Sequence, residues 1–328
     1  MSIPNQFEGK LKLPAVAAPM FLVSGPDLVI ETCKSGVVGT FPALNQRTTE
    51  GFEEWVIEIK EKLAAFEQET GQVAAPFGVN LISHRSNPRL QADLAICVKH
   101  EVPLIITSLG AVSSLIDEVH SYGGLVFHDV INLKFAKKAA EAGADGLICV
   151  TAGAGGHAGE MSPFALISEI RQFFSKTILL AGCLSQGQDI ATAQMMGADL
   201  AYIGTRFIAT KEAMAVDDYK KMILESRAED IVYTAKISGV NANFLLPSLE
   251  KAGIDLTKTP EKTDIDFGSE LQVDEEAKAK GAWTNIWSAG QGVGSIENVP
   301  EVGVLIKNLH QEYCQAITSH QERSKHYL

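Results

Sequence analysis

KFAKKAAEAGADGLICVTAGAGGHAGE, residues 134–160, and QDIATAQMMGADLAYIGTRF, residues 188–207, follow one plan. Each has an amphipathic stretch, a glycine suited to a left-handed helix cap, Ala-Asp, a short apolar run and then a glycine-bearing loop. An apolar run without alternation is what a strand buried on both faces shows, and a helix feeding into it makes a βα unit. The same texture extends from Pro14 to about residue 205. Strand candidates are Ala15 to Ala18, Val37 to Phe41, Phe77 to Leu81, Leu104 to Thr107, Leu125 to His128, Gly146 to Val150, Ile178 to Ala181 and Leu200 to Ile203. GFEEWVIEIKEKLAAFE and NPRLQADLAICVKH are among the helical stretches between them. Eight such units in about 200 residues predict an α/β fold, a closed (β/α)8 TIM barrel. An open doubly wound sheet is the alternative, because periodicity does not report closure.

After Thr205 the pattern changes. Lys211 to Asp230 reads as one or two helices with no strand between them, and residues 240–282 read as a polar linker or flap. WTNIWSAGQGVGSI is too short and too rich in glycine for a domain, so it is expected to fold back onto the barrel before a final helix from about Glu301. The expected organisation is a barrel over residues 1–210 and a mainly helical subdomain over 211–328, with residues 283–295 returning to the barrel mouth.

Composition narrows the function. The 328-residue chain is 46% hydrophobic and 21% charged, with a formal net charge of −12. An acidic chain repels polyanions, so nucleic acid and anionic membrane surfaces are not expected partners. No signal peptide or membrane span is legible, which makes the cytoplasm the default location. The five cysteines are scattered without CxxC spacing, so neither a disulfide framework nor a zinc site is expected. No His/Asp/Glu cluster has metal-ligand spacing either.

In such a barrel, chemistry gathers at the C-terminal ends of the strands. There the sequence places Ala18, Pro19 and Met20, then Asn80, then His128 and Asp129, then 151–160, then Gly182 and Cys183, then Gly204, Thr205 and Arg206. In TAGAGGHAGE the glycines remove side chains, so a flat ligand can approach the backbone, and His157 projects from that surface. An imidazole with an ordinary pKa of about 6.5 could exchange a proton at neutral pH. The glycine turns after the last two strands suit a single phosphate, with Gly182, Cys183, Gly204 and Thr205 as candidate contacts. Arg206 could add a cation there or pair within the barrel. Neither GxGxxG in a strand–turn–helix nor a P-loop is present, which disfavours a dinucleotide or Walker-type site.

The motifs APM (18–20), GVN (78–80), AGGH (154–157), AG (181–182) and GTRF (204–207), in that order, resemble the nitronate monooxygenases, formerly called 2-nitropropane dioxygenases. The likeness runs from about Pro14 through IWSAGQG near residue 292. The resemblance implies an FMN-dependent barrel oxidoreductase in a superfamily that also holds NAD(P)H:quinone reductases and flavin enoyl-ACP reductases. It places Ala18 to Met20 against the isoalloxazine, Asn80 within hydrogen-bonding reach, and Gly155 and Gly156 beside the ring. Gly182, Cys183, Gly204 and Thr205 would hold the FMN phosphate. Ser288 would reach the ring from the C-terminal segment, and His157 matches the family's catalytic histidine. Two positions depart from the pattern. Cys183 replaces the second glycine of a Gly-Gly turn, and Asp129 stands at the flavin edge where some relatives carry lysine. Because a carboxylate there would oppose an anionic reduced ring, Asp129 is expected to point away or to pair with Lys134.

The activity implied is oxidation of an alkyl nitronate by O2 to a carbonyl compound and nitrite. His157 would orient the nitronate when protonated, or remove the α-proton of a nitroalkane when neutral. The alternatives are quinone reduction by NAD(P)H, enoyl-ACP reduction, which would call for a basic docking patch, and an FMN-binding sensor or scaffold without turnover. A homodimer is compatible with the resemblance.

Overall fold

The computed structural model describes residues 2–260 and 286–328. The polar flap expected up to 282 therefore lies outside the described residues from 261 onward, as do 283–285 of the returning segment. Eight parallel strands close into a barrel in the order β1 (Ala15–Ala17), β2 (Val38–Pro42), β3 (Phe77–Ile82), β4 (Leu104–Ser108), β5 (Leu125–Val130), β6 (Gly146–Val150), β8 (Thr177–Ala181) and β9 (Leu200–Ile203). Closure is made by β1 pairing with β9, Val16 opposite Tyr202, so the open doubly wound alternative is excluded. Every predicted strand is present, with ends moved by at most two residues.

The apolar runs are continuous because each strand is buried on both sides. Leu104 and Ile106 of β4 enter the barrel interior while Ile105 packs outward under the helices. Likewise Leu179 and Ala181 of β8 face in, and Ile178 and Leu180 face out. Phe7, in the N-terminal turn, fills the interior edge-on to Phe127 at 6.0 Å.

The repeated Gly-Ala-Asp has a common cause. Gly143 and Gly197 take left-handed φ values of 102° and 101° and end α5 (Leu133–Glu141) and α7 (Gly187–Met195). The aspartates that follow hold the neighbouring strand: Asp145 accepts from Val126 N at 3.0 Å, and Asp199 accepts from Ile178 N at 2.8 Å.

The last barrel unit is abbreviated. Its helix, α8 (Thr205–Ile208), is one turn long, and the outer layer there is completed by the C-terminal helix α11 (Val302–Ser324), which packs on α7 and on α1 (Pro26–Lys34). Gly187 makes the fit possible, because a Cβ there would lie 2.1 Å from Leu309 O. Val302, Leu305, Ile306 and Leu309 share one core with Ile190, Ala201 and Phe207 of the barrel.

One feature of the C-terminal part departs from the expectation. Residues 231–251 contain an antiparallel pair, β10 (Ile231–Thr234) and β11 (Ala242–Leu245), followed by α10 (Leu246–Lys251). β11 also pairs with β7 (Gly156–His157), so the glycine loop is the edge of a three-stranded sheet. Four-residue strands are too short to show a period within polar surroundings, and Phe244 and Leu249 are buried where a solvated linker was expected. None of the described helices is long and apolar enough to cross a membrane.

Candidate active site

Inward-facing positions recur every second residue, so the parity of the core fixes which side chains form the topmost layer of the barrel. Continuing the interior series gives Ala18, Asn80, Ser108, Asp129, Val150, Ala181 and Tyr202. All seven line one cavity of about 930 Å³ at the C-terminal ends of the strands. Ala18, Pro19, Met20, Asn80, Asp129, Gly155, Gly156, His157, Gly182, Cys183, Gly204, Thr205 and Ser288, all expected from the sequence, are on its wall, whereas Arg206 is not.

His157 is held from two sides. It pairs in register with Ala242 of β11, and Ala158 N donates to Asn241 O at 3.2 Å. The loop before it is fixed by Asn243 Nδ2 donating to Ala154 O at 2.6 Å and by Gln291 N donating to Gly153 O at 2.8 Å. Burial lowers the imidazole pKa to about 4, so His157 is neutral at pH 7. The ring is therefore uncharged there and offers a lone pair and an N–H. Gly156 has φ 68°, and the space where its Cβ would stand is open.

The returning segment packs directly against this glycine loop and lines the cavity through Ile286, Trp287, Ser288, Gly290 and Gly292. Trp287 stacks on Tyr219 at 5.0 Å, and Tyr219 donates its hydroxyl to Ser288 O. Gly290 N donates to Thr205 Oγ1 at 2.9 Å, which leaves that hydroxyl's proton available to an acceptor in the cavity. Glycine is obligatory at this seam, since a Cβ on Gly155 would approach Gly290 N to 2.8 Å.

Asn80 lines the cavity with its Nδ2 donating to Ser108 Oγ at 2.9 Å and to Ile106 O at 3.2 Å. Ser108 in turn donates to Asp129 Oδ2 at 2.5 Å. Neither orientation expected for Asp129 occurs. It lines the cavity, and among the described residues it forms no ion pair with Lys134 or any other cation. Arg206 is not a phosphate-facing cation; its guanidinium is buried and binds Ala209 O and both oxygens of Asn298. Ser108 and the buried pair Thr107 Oγ1 to His128 Nδ1, 2.7 Å, were not anticipated. Ser108 is the residue directly after the fourth apolar run, so the rim rule that selected Asn80 and Asp129 applied to it as well. Among the described residues no group of three or more His, Cys, Asp or Glu could hold a metal.

Cys183 occupies a left-handed conformation, φ 57°, at the turn where the resembling family carries glycine. A side chain there costs about 1–2 kcal/mol, partly offset by the extra unfolded-state freedom that glycine would bring. Cys183→Gly is therefore expected to stabilise the protein by about 0.5–1 kcal/mol. Chemical denaturation checks it, and a less stable variant would mean that the Sγ contact with Ala152 O outweighs the strain.

The protein-family model described as nitronate monooxygenase matches residues 43–312. The chain is 28% identical over 244 residues to the (3aS,4S,5R,7aS)-5-hydroxy-7a-methyl-1-oxo-octahydro-1H-indene-4-carboxyl-CoA dehydrogenase of Rhodococcus jostii, covering 73% of this chain and 65% of that protein. It is 25% identical over 354 residues to the nitronate monooxygenase of Paraburkholderia phytofirmans, covering 93% of each. The structure of FabK from Thermotoga maritima superposes with a TM-score of 0.77 at 23% identity, covering 97% of this chain and 96% of that one, a likeness of fold.

Proposed function

Because the chain belongs to the nitronate monooxygenase family, we propose that it is an FMN-dependent oxidoreductase that converts alkyl nitronates and their parent nitroalkanes, with O2, to a carbonyl compound and nitrite. The observation that carries this reading is a neutral imidazole, His157, on the wall of a cavity that also presents two buried polar atoms, Asp129 Oδ1 and Ser288 Oγ, with no protein partner. Orphaned polar atoms in a concave site are what a hydrogen-bonding ligand leaves behind when it is absent. The glycine-bordered walls at Gly156, Gly182 and Gly204 suit a planar ring with a phosphate tail.

In this reading Gly182, Cys183, Gly204 and the Thr205 hydroxyl hold the phosphate, while Ala18, Pro19, Met20 and Gly155 line the ring's bed. The flavin supplies the electron transfer between substrate and O2. His157 accepts the α-proton of a neutral nitroalkane in a cavity whose lining includes the apolar Met20 and Val150. Residues 1–210 supply the barrel and the phosphate loops, and residues 211–328 supply the wall that leans over the ring through 286–292.

The test is the absorption spectrum of the purified protein, followed by anaerobic titration. A flavin spectrum bleached by a nitronate and restored by air is the expected result. A colourless protein that binds no added FMN overturns the reading, and bleaching by NADH or NADPH but not by nitronate replaces it with quinone reduction.

A further inference from the structure

Resting on the flavin reading, we propose that Asp129 is a proton-bearing ligand of the ring: in the bound state its carboxyl is protonated on Oδ1 and donates a hydrogen bond to a nitrogen or carbonyl acceptor of the ring's pyrimidine half.

The proton's position follows from the hydrogen-bond chain. Asn80 Nδ2 donates to Ser108 Oγ, and Ser108 spends its own hydrogen on Asp129 Oδ2. Oδ2 is thus an acceptor, and a proton on this carboxyl sits on Oδ1. Oδ1 is buried and lacks any protein partner, and the residue lies on the cavity wall. A carboxylate stranded there would need a cation. The charged side chains lining the cavity are Lys138 and Glu160, and neither pairs with Asp129. The titratable groups on the same wall are His128 of β5, His157 of β7, Tyr202 of β9, Tyr219 of α9 (Asp217–Glu225), Tyr233 of β10, and His84 and Cys183 in loops. Of these, Tyr202 is raised well above its ordinary range by burial, with a smaller push from the charge of Asp129. On the strands beside Asp129 the nearest contributions are neutral, Ser108 from β4 and Ile148 from β6.

Desolvation already pushes the Asp129 carboxyl up to about 6, against the pull of the Ser108 hydrogen bond. A ring covering the carboxyl lowers the local dielectric and favours the neutral acid further. The opposition between a carboxylate and an electron-rich ring is thereby resolved without a lysine: the position carries an acid that is uncharged when it is covered.

The test compares wild type with D129N, whose amide can accept from Ser108 and still donate into the cavity, and with D129L, which can do neither. Riboflavin is the probe, since it lacks the phosphate that titrates near pH 6 in FMN. Its Kd is measured by fluorescence quenching from pH 5.5 to 8.5. Wild type is expected to weaken as pH rises above the carboxyl's midpoint, approaching tenfold per pH unit. D129N should be flat with pH and bind at least tenfold more tightly than wild type at pH 8.5, while D129L binds weakly throughout. Infrared difference spectra of the flavin-saturated proteins, wild type minus D129N, should show a protonated-carboxyl band at pH 7. Superimposable curves for wild type and D129N, or a missing band, overturn the proposal while leaving the flavin reading intact. Failure of riboflavin and FMN to bind either protein at any pH overturns both.

Discussion

His157→Asn lowers kcat/KM for a neutral nitroalkane by roughly 10²- to 10⁴-fold, the range that positioned proton transfer contributes. The same substitution costs much less with the preformed nitronate, whose α-proton is already gone. The difference between the two substrates, measured by steady-state oxygen consumption, isolates proton abstraction from binding. The pH profile adds a second check. A base works in its deprotonated form, and burial sets this imidazole at about 4. The wild-type nitroalkane rate should therefore be flat through neutrality with respect to this group and fall only as the pH approaches that value. Equal losses on both substrates would make His157 a binding residue, and no loss on either would remove it from the chemistry.

Gly290→Ala tests the seam where the C-terminal segment meets the barrel. Gly290 has φ −86°, so alanine is conformationally permitted there and the effect is purely steric. Its Cβ would stand 2.7 Å from Gly153 O and 3.0 Å from Gly155 N, both backbone atoms that cannot rotate aside. Overpacking of this kind costs about 1–3 kcal/mol. Separating the strands of chain would also stretch the Gly290 N to Thr205 Oγ1 hydrogen bond, worth about 0.5–1.5 kcal/mol. In the proposed reading both losses fall where the phosphate is held, so FMN affinity is expected to drop roughly 10- to 100-fold, at 1.4 kcal/mol per decade. Equilibrium titration of the flavin-free protein measures this. Wild-type affinity in a folded variant would show that residues 286–292 are not part of the cradle.

The barrel was legible because its cause is local and repeated. A strand covered on both faces must be apolar throughout, and the two Gly-Ala-Asp junctions mark where α5 and α7 end, while the hold of each aspartate on the neighbouring strand became visible only in the structure. The rim was legible for the same reason, since a strand end is visible once the strand is. What each rim residue does there was less accessible. Whether Asn80 faces a ligand or Ser108 depends on a partner 28 residues away, and whether Arg206 meets a phosphate or Asn298 depends on a loop 92 residues away. Sequence spacing carries no trace of either choice. The β10–β11 hairpin was hidden by its brevity, and β7 by its glycines, which read as a loop and yet form an edge strand because β11 offers it a partner.

The one-turn α8 leaves its mark on how the molecule must assemble. With no eighth helix of ordinary length, the apolar flanks of α1 and α7 wait for a cover encoded 94 residues after Ile208, at Val302. At ribosomal speeds of about 5–20 residues per second that interval lasts roughly 5–20 s. Throughout it the nascent chain carries a complete set of barrel strands beside an uncovered greasy stripe. Chaperone capture is most valuable in that window, and α11 acts as the latch.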